Sequence, residues 1–210
     1  MLLKNVRVFF GKTGRAVYIS HLDLYRLFQR AVRRAKLPVW ETEGFNPHVY
    51  ITFALPLSLG TEGVRESFDT RLTEELSFGE LCDRLNRALP EGIRVLGAAE
   101  PVYKNTDIAR SEYEVRHDAN EALLTRFLGQ ERILAEKRTK RGTAEIDLKP
   151  ALEIKEREEG LLRLLLPSGT ETNLNANLIF ETFEKQLGAR IGRLRIKRTA
   201  VYCKNGEIFR

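Results

Sequence analysis

Apolar residues recur in the first part of the chain with two different spacings. Val6, Val8 and Phe10 alternate with other residues before a glycine-containing turn, which predicts a first strand. From a Ser20 cap to Pro38 the apolar residues recur at helical spacing instead, which predicts a first helix. The apolar positions of this helix are Leu24, Leu27, Phe28, Ala31 and Ala35.

The elements that follow complete a familiar order. Short strands are predicted at 39–42 and 50–55, and an alternating strand at 66–72. A second helix begins after a Ser77 cap, and a strand at 93–102 closes the series. Apart from one additional short strand, the order is β-α-β-β-α-β, that of the ferredoxin-like unit, in which two helices cover one face of an antiparallel sheet.

The second half of the chain is predicted to repeat this order of elements, although its sequence differs from that of the first half. A strand is predicted at 112–116, a helix at 120–128, and two or three strands within 133–167. Asn175 caps another helix that ends at a glycine, and a strand follows at 191–196.

The tail and the repeat together define the predicted architecture. The last residues, VYCKNGEIFR, are predicted to form a hairpin around an Asn205-Gly206 turn. The predicted fold class is α+β, with two tandem ferredoxin-like domains at 1–105 and 106–210, each an antiparallel sheet with helices on one face.

Composition adds bounds on the kind of protein. The chain has 210 residues, 42% of them hydrophobic, which is enough for a hydrophobic core that needs no disulfide or metal ion to stabilise it. Its 35 Lys and Arg against 29 Asp and Glu favour an anionic partner. Cys82 and Cys203 lie far apart and outside any metal-ligand spacing, so we expect neither a disulfide nor a metal or other cofactor. With no apolar run of about 18 residues, the expected location is cytoplasmic, away from membranes.

Basic residues cluster in three places. Arg26, Arg30, Arg33 and Arg34 fall opposite the apolar stripe of the first helix, where they would meet phosphates or simply be solvated. A second cluster, at a predicted hairpin turn, consists of Lys137, Arg138, Lys140 and Arg141. The third lies near the last predicted strands and consists of Arg190, Arg193, Arg195, Lys197 and Arg198. Three basic patches favour a nucleic acid as the partner.

The stretch GFNPHVYITFALPLSLG combines a turn with an apolar run. Asn46-Pro47 predicts a turn, and the alternation that follows predicts a strand. Phe45, Asn46 and His48 remain in the loop and are candidate nucleic-acid contacts. For His48 the alternative is a hydrogen-bonded loop histidine without a role in binding.

One constellation is compatible with catalysis. His21 lies at the start of the first helix, where an imidazole is kept neutral and can accept a proton. With Tyr18, and with Lys12 and Arg15 in the preceding turn, it would suit RNA cleavage without a metal. A histidine at a helix start is also common without any catalytic role.

Three segments carry a family resemblance: YISHLDLYRLFQRAVRRAKLP, EGFNPHVYITFALPLSLGTEG and ESFDTRL. They resemble a bacterial family of radical-SAM-linked proteins of unknown function, and RGTAEIDLKPAL extends the likeness into the second half. Val49 departs from the family, which usually has proline there. The strand-helix start is also distantly similar to the RAMP fold of CRISPR endoribonucleases, but no catalytic residue carries over.

The resemblance implies a role beside another protein. Family members are typically encoded beside, or fused to, a radical SAM protein with a cobalamin-binding-like domain, often near genes for ribosomal and RNA-processing proteins. We therefore expect a non-catalytic accessory that binds RNA or presents a substrate in RNA or ribosome-linked modification, with the iron-sulfur cluster and cofactor in the partner. The alternatives are a metal-independent RAMP-like endoribonuclease using Tyr18 and His21, and a protein-interaction scaffold that binds no nucleic acid.

Overall fold

The computed structural model describes residues 3–139, 142–169 and 172–210. The chain divides into two compact units. The first comprises the residues up to Asp107 together with Glu207–Arg210, and the second comprises Ile108–Gly206. Both units combine helices with antiparallel strands, which confirms the mixed α and β class.

Within its described residues, the first unit contains four strands and two helices. Its strands are β1 (Lys4–Lys12), β2 (Thr52–Phe53), β3 (Thr61–Leu72) and β4 (Ile93–Ala99), and its helices are α1 (His21–Arg34) and α2 (Phe78–Ala88). The strands follow the spatial order β4, β1, β3, β2, and each neighbouring pair is antiparallel. In the central pair, Arg7 lies opposite Asp69 and Val8 opposite Phe68.

Local signals explain the two helices of this unit. Ser20 Oγ accepts the backbone N–H of Asp23 at 3.1 Å, and Ser77 Oγ accepts that of Glu80 at 3.2 Å, as predicted from the caps. The apolar stripe of α1 is buried against the sheet, where the Phe28 ring centroid lies 4.7 Å from that of Phe68. The predicted helices are therefore confirmed.

The strands predicted at 39–42 and 50–55 are shorter than expected. Residues 39–42 contribute only the bridges Val39 to Leu72 and Glu41 to Val49, and the second strand is reduced to Thr52–Phe53. The reason is that this backbone pairs with itself. Thr42 N–H donates to the His48 carbonyl at 2.8 Å, and Tyr50 N–H to that of Trp40 at 3.0 Å. We call residues 40–50 the aromatic hairpin.

The second unit contains more strands than predicted. Its strands are β5 (Ile108–His117), β6 (Leu134–Thr139), β7 (Gly142–Asp147), β8 (Glu153–Glu158), β9 (Leu161–Pro167) and β10 (Leu194–Cys203), and its helices are α3 (Glu121–Leu128) and α4 (Ala176–Leu187). The main sheet has the order β10, β5, β9, β8, while β6 and β7 pair separately. The described residues of region 133–167 thus form four strands rather than two or three, because Pro150 interrupts β-pairing and Gly160 turns the chain at φ 72°.

The tail contains the predicted turn. At Asn205-Gly206 the Gly206 N–H donates to the Cys203 carbonyl at 2.9 Å. The residues after the turn, Glu207–Arg210, belong to the first unit. There the N–H groups of Val102 and Tyr103 both donate to the Arg210 carbonyl oxygen at 3.1 Å.

A buried histidine lies at the end of β5. The His117 side chain is 0% exposed, and within the described part of the chain neither ring nitrogen has a hydrogen-bond partner. Its Nδ1 lies 4.0 Å from the Glu121 carboxylate. Burial lowers the pKa of His117 below its ordinary value, and although Glu121 and Asp118 oppose this effect, the nearby Arg157 adds to it.

This histidine predicts a loss of stability in mild acid. Because the folded pKa is depressed, the unfolded chain binds the proton more readily, so the free energy of unfolding falls as the pH drops below about 6.5. Urea denaturation at about pH 7.5 and about pH 5.5 should show a larger loss for the natural chain than for His117→Leu. Equal losses in both proteins would contradict this account of His117.

Candidate nucleic-acid interface

Helix α1 presents the four predicted arginines on its exposed side. Three of them have partners in the first unit: Arg26 pairs with Asp23 at 3.3 Å, Arg33 with Glu41 at 3.0 Å, and Arg34 Nη1 donates to the Ala88 carbonyl at 3.3 Å. Arg30 has no ion pair among the described residues. We call Arg26, Arg30, Arg33 and Arg34 the arginine face. Its charge is partly neutralised but not cancelled.

The aromatic hairpin holds the predicted loop residues at a defined tip. His48 N–H donates to Thr42 Oγ1 at 3.2 Å, and the His48 ring nitrogen Nδ1 lies 2.9 Å from the same hydroxyl oxygen. That ring nitrogen also lies 3.1 Å from the Asn46 carbonyl oxygen, so the histidine helps to brace the loop. Phe45 at the tip is fully exposed, at 105%. Exposing a whole aromatic ring on a braced loop is unfavourable in water, which marks it as a contact point.

Helix and hairpin meet directly. The ion pair between Arg33 and Glu41 joins the arginine face to the hairpin, so the two sets of residues predicted separately form one surface. At the base of the hairpin the ring centroids of Trp40 and Tyr50 lie 5.4 Å apart. The Arg71 guanidinium lies 5.4 Å from the first ring and 4.9 Å from the second. Aromatic and cationic groups are therefore contiguous here.

Sequence reasoning missed the three residues at the hairpin base. Trp40 and Tyr50 flank the predicted loop, and an aromatic residue at each end of a turn is a usable signal for a cross-strand pair. Arg71 could not be assigned from the sequence, because its position beside them depends on pairing between distant segments.

The second predicted cluster lies elsewhere in the chain. Lys137 and Arg138 are part of strand β6 in the second unit. Lys140 and Arg141 lie outside the residues that the structure describes. Their assignment as nucleic-acid contacts stays a prediction.

The residues considered for catalysis are spread over different environments. Tyr18 is largely exposed, whereas the His21 ring packs edge-on against Phe53 with a centroid distance of 5.1 Å. Lys12 is buried and donates its ammonium group to the Ile19 carbonyl at 2.9 Å. Its charge is thus held inside the first unit.

A cavity of about 560 Å³ lies on the first unit. Its lining comes from β1, β3, the hairpin end and residues 100–106. At its floor Arg7 donates from Nε and Nη2 to the two carboxylate oxygens of Asp69, at 2.7 and 2.8 Å. Arg7 is 1% exposed and also stacks on the Phe209 ring at 4.0 Å. An arginine between two buried valines, Val6 and Val8, was the only sequence signal for this pair.

The fold and surface define a class: a mixed α and β protein with a basic helix face joined to an exposed aromatic hairpin. The chain belongs to a family described as an uncharacterized protein conserved in bacteria (DUF2344), whose sequence pattern matches residues 5–176. This confirms the coarser part of the prediction, that the chain belongs to a bacterial family of unknown function. A comparison with curated proteins found no match.

Two further findings concern the described residues alone. None of the described helices is long and apolar enough to cross a membrane. In the same part of the chain, no group of three or more His, Cys, Asp or Glu side chains is arranged to hold a metal ion.

Proposed function

We propose that this chain is a non-catalytic protein that binds single-stranded RNA through its first unit. It acts as an accessory to a radical SAM enzyme and presents the substrate in RNA or ribosome-linked modification. The observation that carries the proposal is the Arg33 to Glu41 ion pair, which joins the arginine face to the hairpin that exposes Phe45.

The combination of charge and exposed aromatic rings favours a single strand. Arginines neutralise phosphates in either single-stranded or double-stranded RNA, but an aromatic ring can stack only on a base that is already unstacked from its neighbours. A strand that crosses from Arg30 to Phe45 would place its phosphates on the helix and one base on the ring.

The proposal also includes the radical SAM partner and the tandem ferredoxin-like fold of the two units. The partner is supported by the resemblance of the first half of the chain to radical-SAM-linked proteins. The strand order supports tandem ferredoxin-like folds. The order is β4, β1, β3, β2 in the first unit and, with β6 and β7 set apart, β10, β5, β9, β8 in the second. Numbered along the chain within each unit, the strands therefore lie in the order fourth, first, third, second.

The test of the RNA-binding proposal is Phe45→Ala. Base stacking on an aromatic ring contributes about 1–3 kcal/mol, so binding of a single-stranded oligoribonucleotide should weaken about fivefold to a hundredfold. Fluorescence anisotropy of a labelled oligonucleotide measures this change. The fold should be unaffected, because the ring is fully exposed.

The matched control is Leu96→Ala, which removes another exposed apolar side chain from the same unit, on β4. It should bind RNA as the natural chain does. If both variants bind with unchanged affinity, Phe45 is not a stacking platform and the proposal loses its main support.

The non-catalytic part of the proposal has its own test. A nuclease using His21 would cut RNA in the presence of EDTA, leave a 2′,3′-cyclic phosphate, and lose about two to four decades of rate in His21→Ala. We expect no such cleavage by the purified protein, because Lys12 is buried and its ammonium group donates to the Ile19 carbonyl inside the unit. EDTA-resistant cleavage that disappears in His21→Ala would support the nuclease instead.

A further inference from the structure

In the cavity at the ion pair between Arg7 and Asp69, the Asp69 carboxylate is accessible to a bound molecule. The Asp69 side chain is 23% exposed, whereas Arg7 is sealed by Asp69, Asn105 and Phe209. Arg7 occupies one lone pair on each carboxylate oxygen, and each oxygen keeps a second lone pair as an acceptor. The accessible polar group at the cavity floor is thus a hydrogen-bond acceptor.

Two asparagines add donors to the same cavity. Asn5 Oδ1 accepts from Arg71 Nε at 3.2 Å, and Asn105 Oδ1 accepts from Arg7 Nη2 at 3.3 Å. Because arginine can only donate, both amide oxygens must face the arginines. The NH₂ group of each asparagine is therefore turned away from the arginine. Both asparagines line the cavity. The polar lining therefore includes one acceptor and two donors.

We propose that this cavity binds the uracil base of a uridine nucleotide, which deepens the proposed RNA-binding function and rests on it. Uracil carries one ring N–H between two carbonyl oxygens, so the N–H would donate to Asp69 and the carbonyls would accept from Asn5 and Asn105. Cytosine and adenine carry an amino group beside a bare ring nitrogen and lack this pattern. Guanine places a carbonyl on only one side of its ring N–H.

The rest of the cavity suits a nucleotide. Its volume of about 560 Å³ is typical of small-molecule sites. Tyr50 lines the wall and supplies an aromatic ring for stacking. Lys104 lines the cavity and supplies a cation for a phosphate, whereas Lys4 is paired with Glu100 at 3.4 Å. Arg71 lies 4.9 Å from the Tyr50 ring centroid, which holds that ring in place.

The experiment titrates the full chain with UMP and, separately, with CMP, AMP and GMP, and follows binding by calorimetry. UMP should bind tightest. Asn5→Ala and Asn105→Ala each remove one donor, so each should weaken UMP binding about fivefold to tenfold while leaving CMP unchanged. Gln130→Ala, which removes an amide side chain from the second unit, is the matched control and should bind UMP normally.

The outcomes separate this proposal from the one on which it rests. Equal binding of CMP and UMP, or no effect of either asparagine variant, would overturn the assignment of uracil, and no binding of any nucleotide would overturn the cavity as a base site. Each of these results leaves the Phe45→Ala test of RNA binding to be decided separately. Tight binding of UMP that both asparagine variants weaken would establish the site.

Discussion

Replacing Arg26, Arg30 and Arg33 together with glutamine should weaken RNA binding and flatten its dependence on salt. Each phosphate neutralised on a single strand contributes about 0.7 to the slope of log affinity against log salt, so losing three contacts should lower that slope by about 2. At low salt the affinity should fall by at least about tenfold. Anisotropy titrations over a range of salt concentrations measure both quantities.

The triple glutamine substitution should leave the fold intact. All three side chains are exposed, whereas Arg34 is left in place because it donates to the Ala88 carbonyl at the end of α2. The matched control is Arg87→Gln with Arg94→Gln, which lowers the net charge elsewhere on the first unit, on α2 and β4. An unchanged salt slope in the triple variant, or the same change in the control, would remove the arginine face from the interface.

Asp69→Ala should strongly destabilise the first unit. It leaves the Arg7 guanidinium buried without its carboxylate, and breaking a buried pair in this way costs about 3 kcal/mol or more. Urea denaturation should show the loss as a lower midpoint. The tail residues should loosen with it, because Arg7 also donates to the Arg210 carbonyl at 3.0 Å.

Two comparisons check the cause of that loss. Removing both partners, with Arg7→Met and Asp69→Ala together, should restore part of the stability, because no charge is then left buried alone. Arg26→Ala breaks an exposed pair and should change stability little. A loss in Asp69→Ala no larger than that in Arg26→Ala would show that the buried pair does not stabilise the unit.

Some of this architecture was accessible from the sequence because its causes are local. Helix α1 begins at the predicted Ser20 cap, and its buried stripe follows from spacing along one helix. The arginine face follows from the same periodicity. The aromatic hairpin did not, because residues 39–55 carry strand-like alternation, while their backbone pairs with itself across a bend at 44–46 that contains Gly44 at φ 118°.

The cavity could not be predicted from the sequence, for a related reason. Arg7 and Asp69 are 62 positions apart and meet only because β1 and β3 pair in one particular register. A shift of one strand by one residue would turn its side chains to the other face, so Arg7 and Asp69 would lie on opposite faces of the sheet. The link between Arg33 and Glu41 likewise needs the chain to reverse after α1, so the sequence predicted the two parts of the surface but not their junction.

The most direct test of RNA binding by the first unit is ultraviolet cross-linking of the tagged full chain in living cells, followed by purification and identification of the cross-linked peptide and RNA. We expect cross-linked RNA on a peptide that contains Phe45, lost in Phe45→Ala, together with a co-purified radical SAM protein. Recovery of a radical SAM protein with no cross-linked RNA would contradict RNA binding and favour a protein-interaction scaffold.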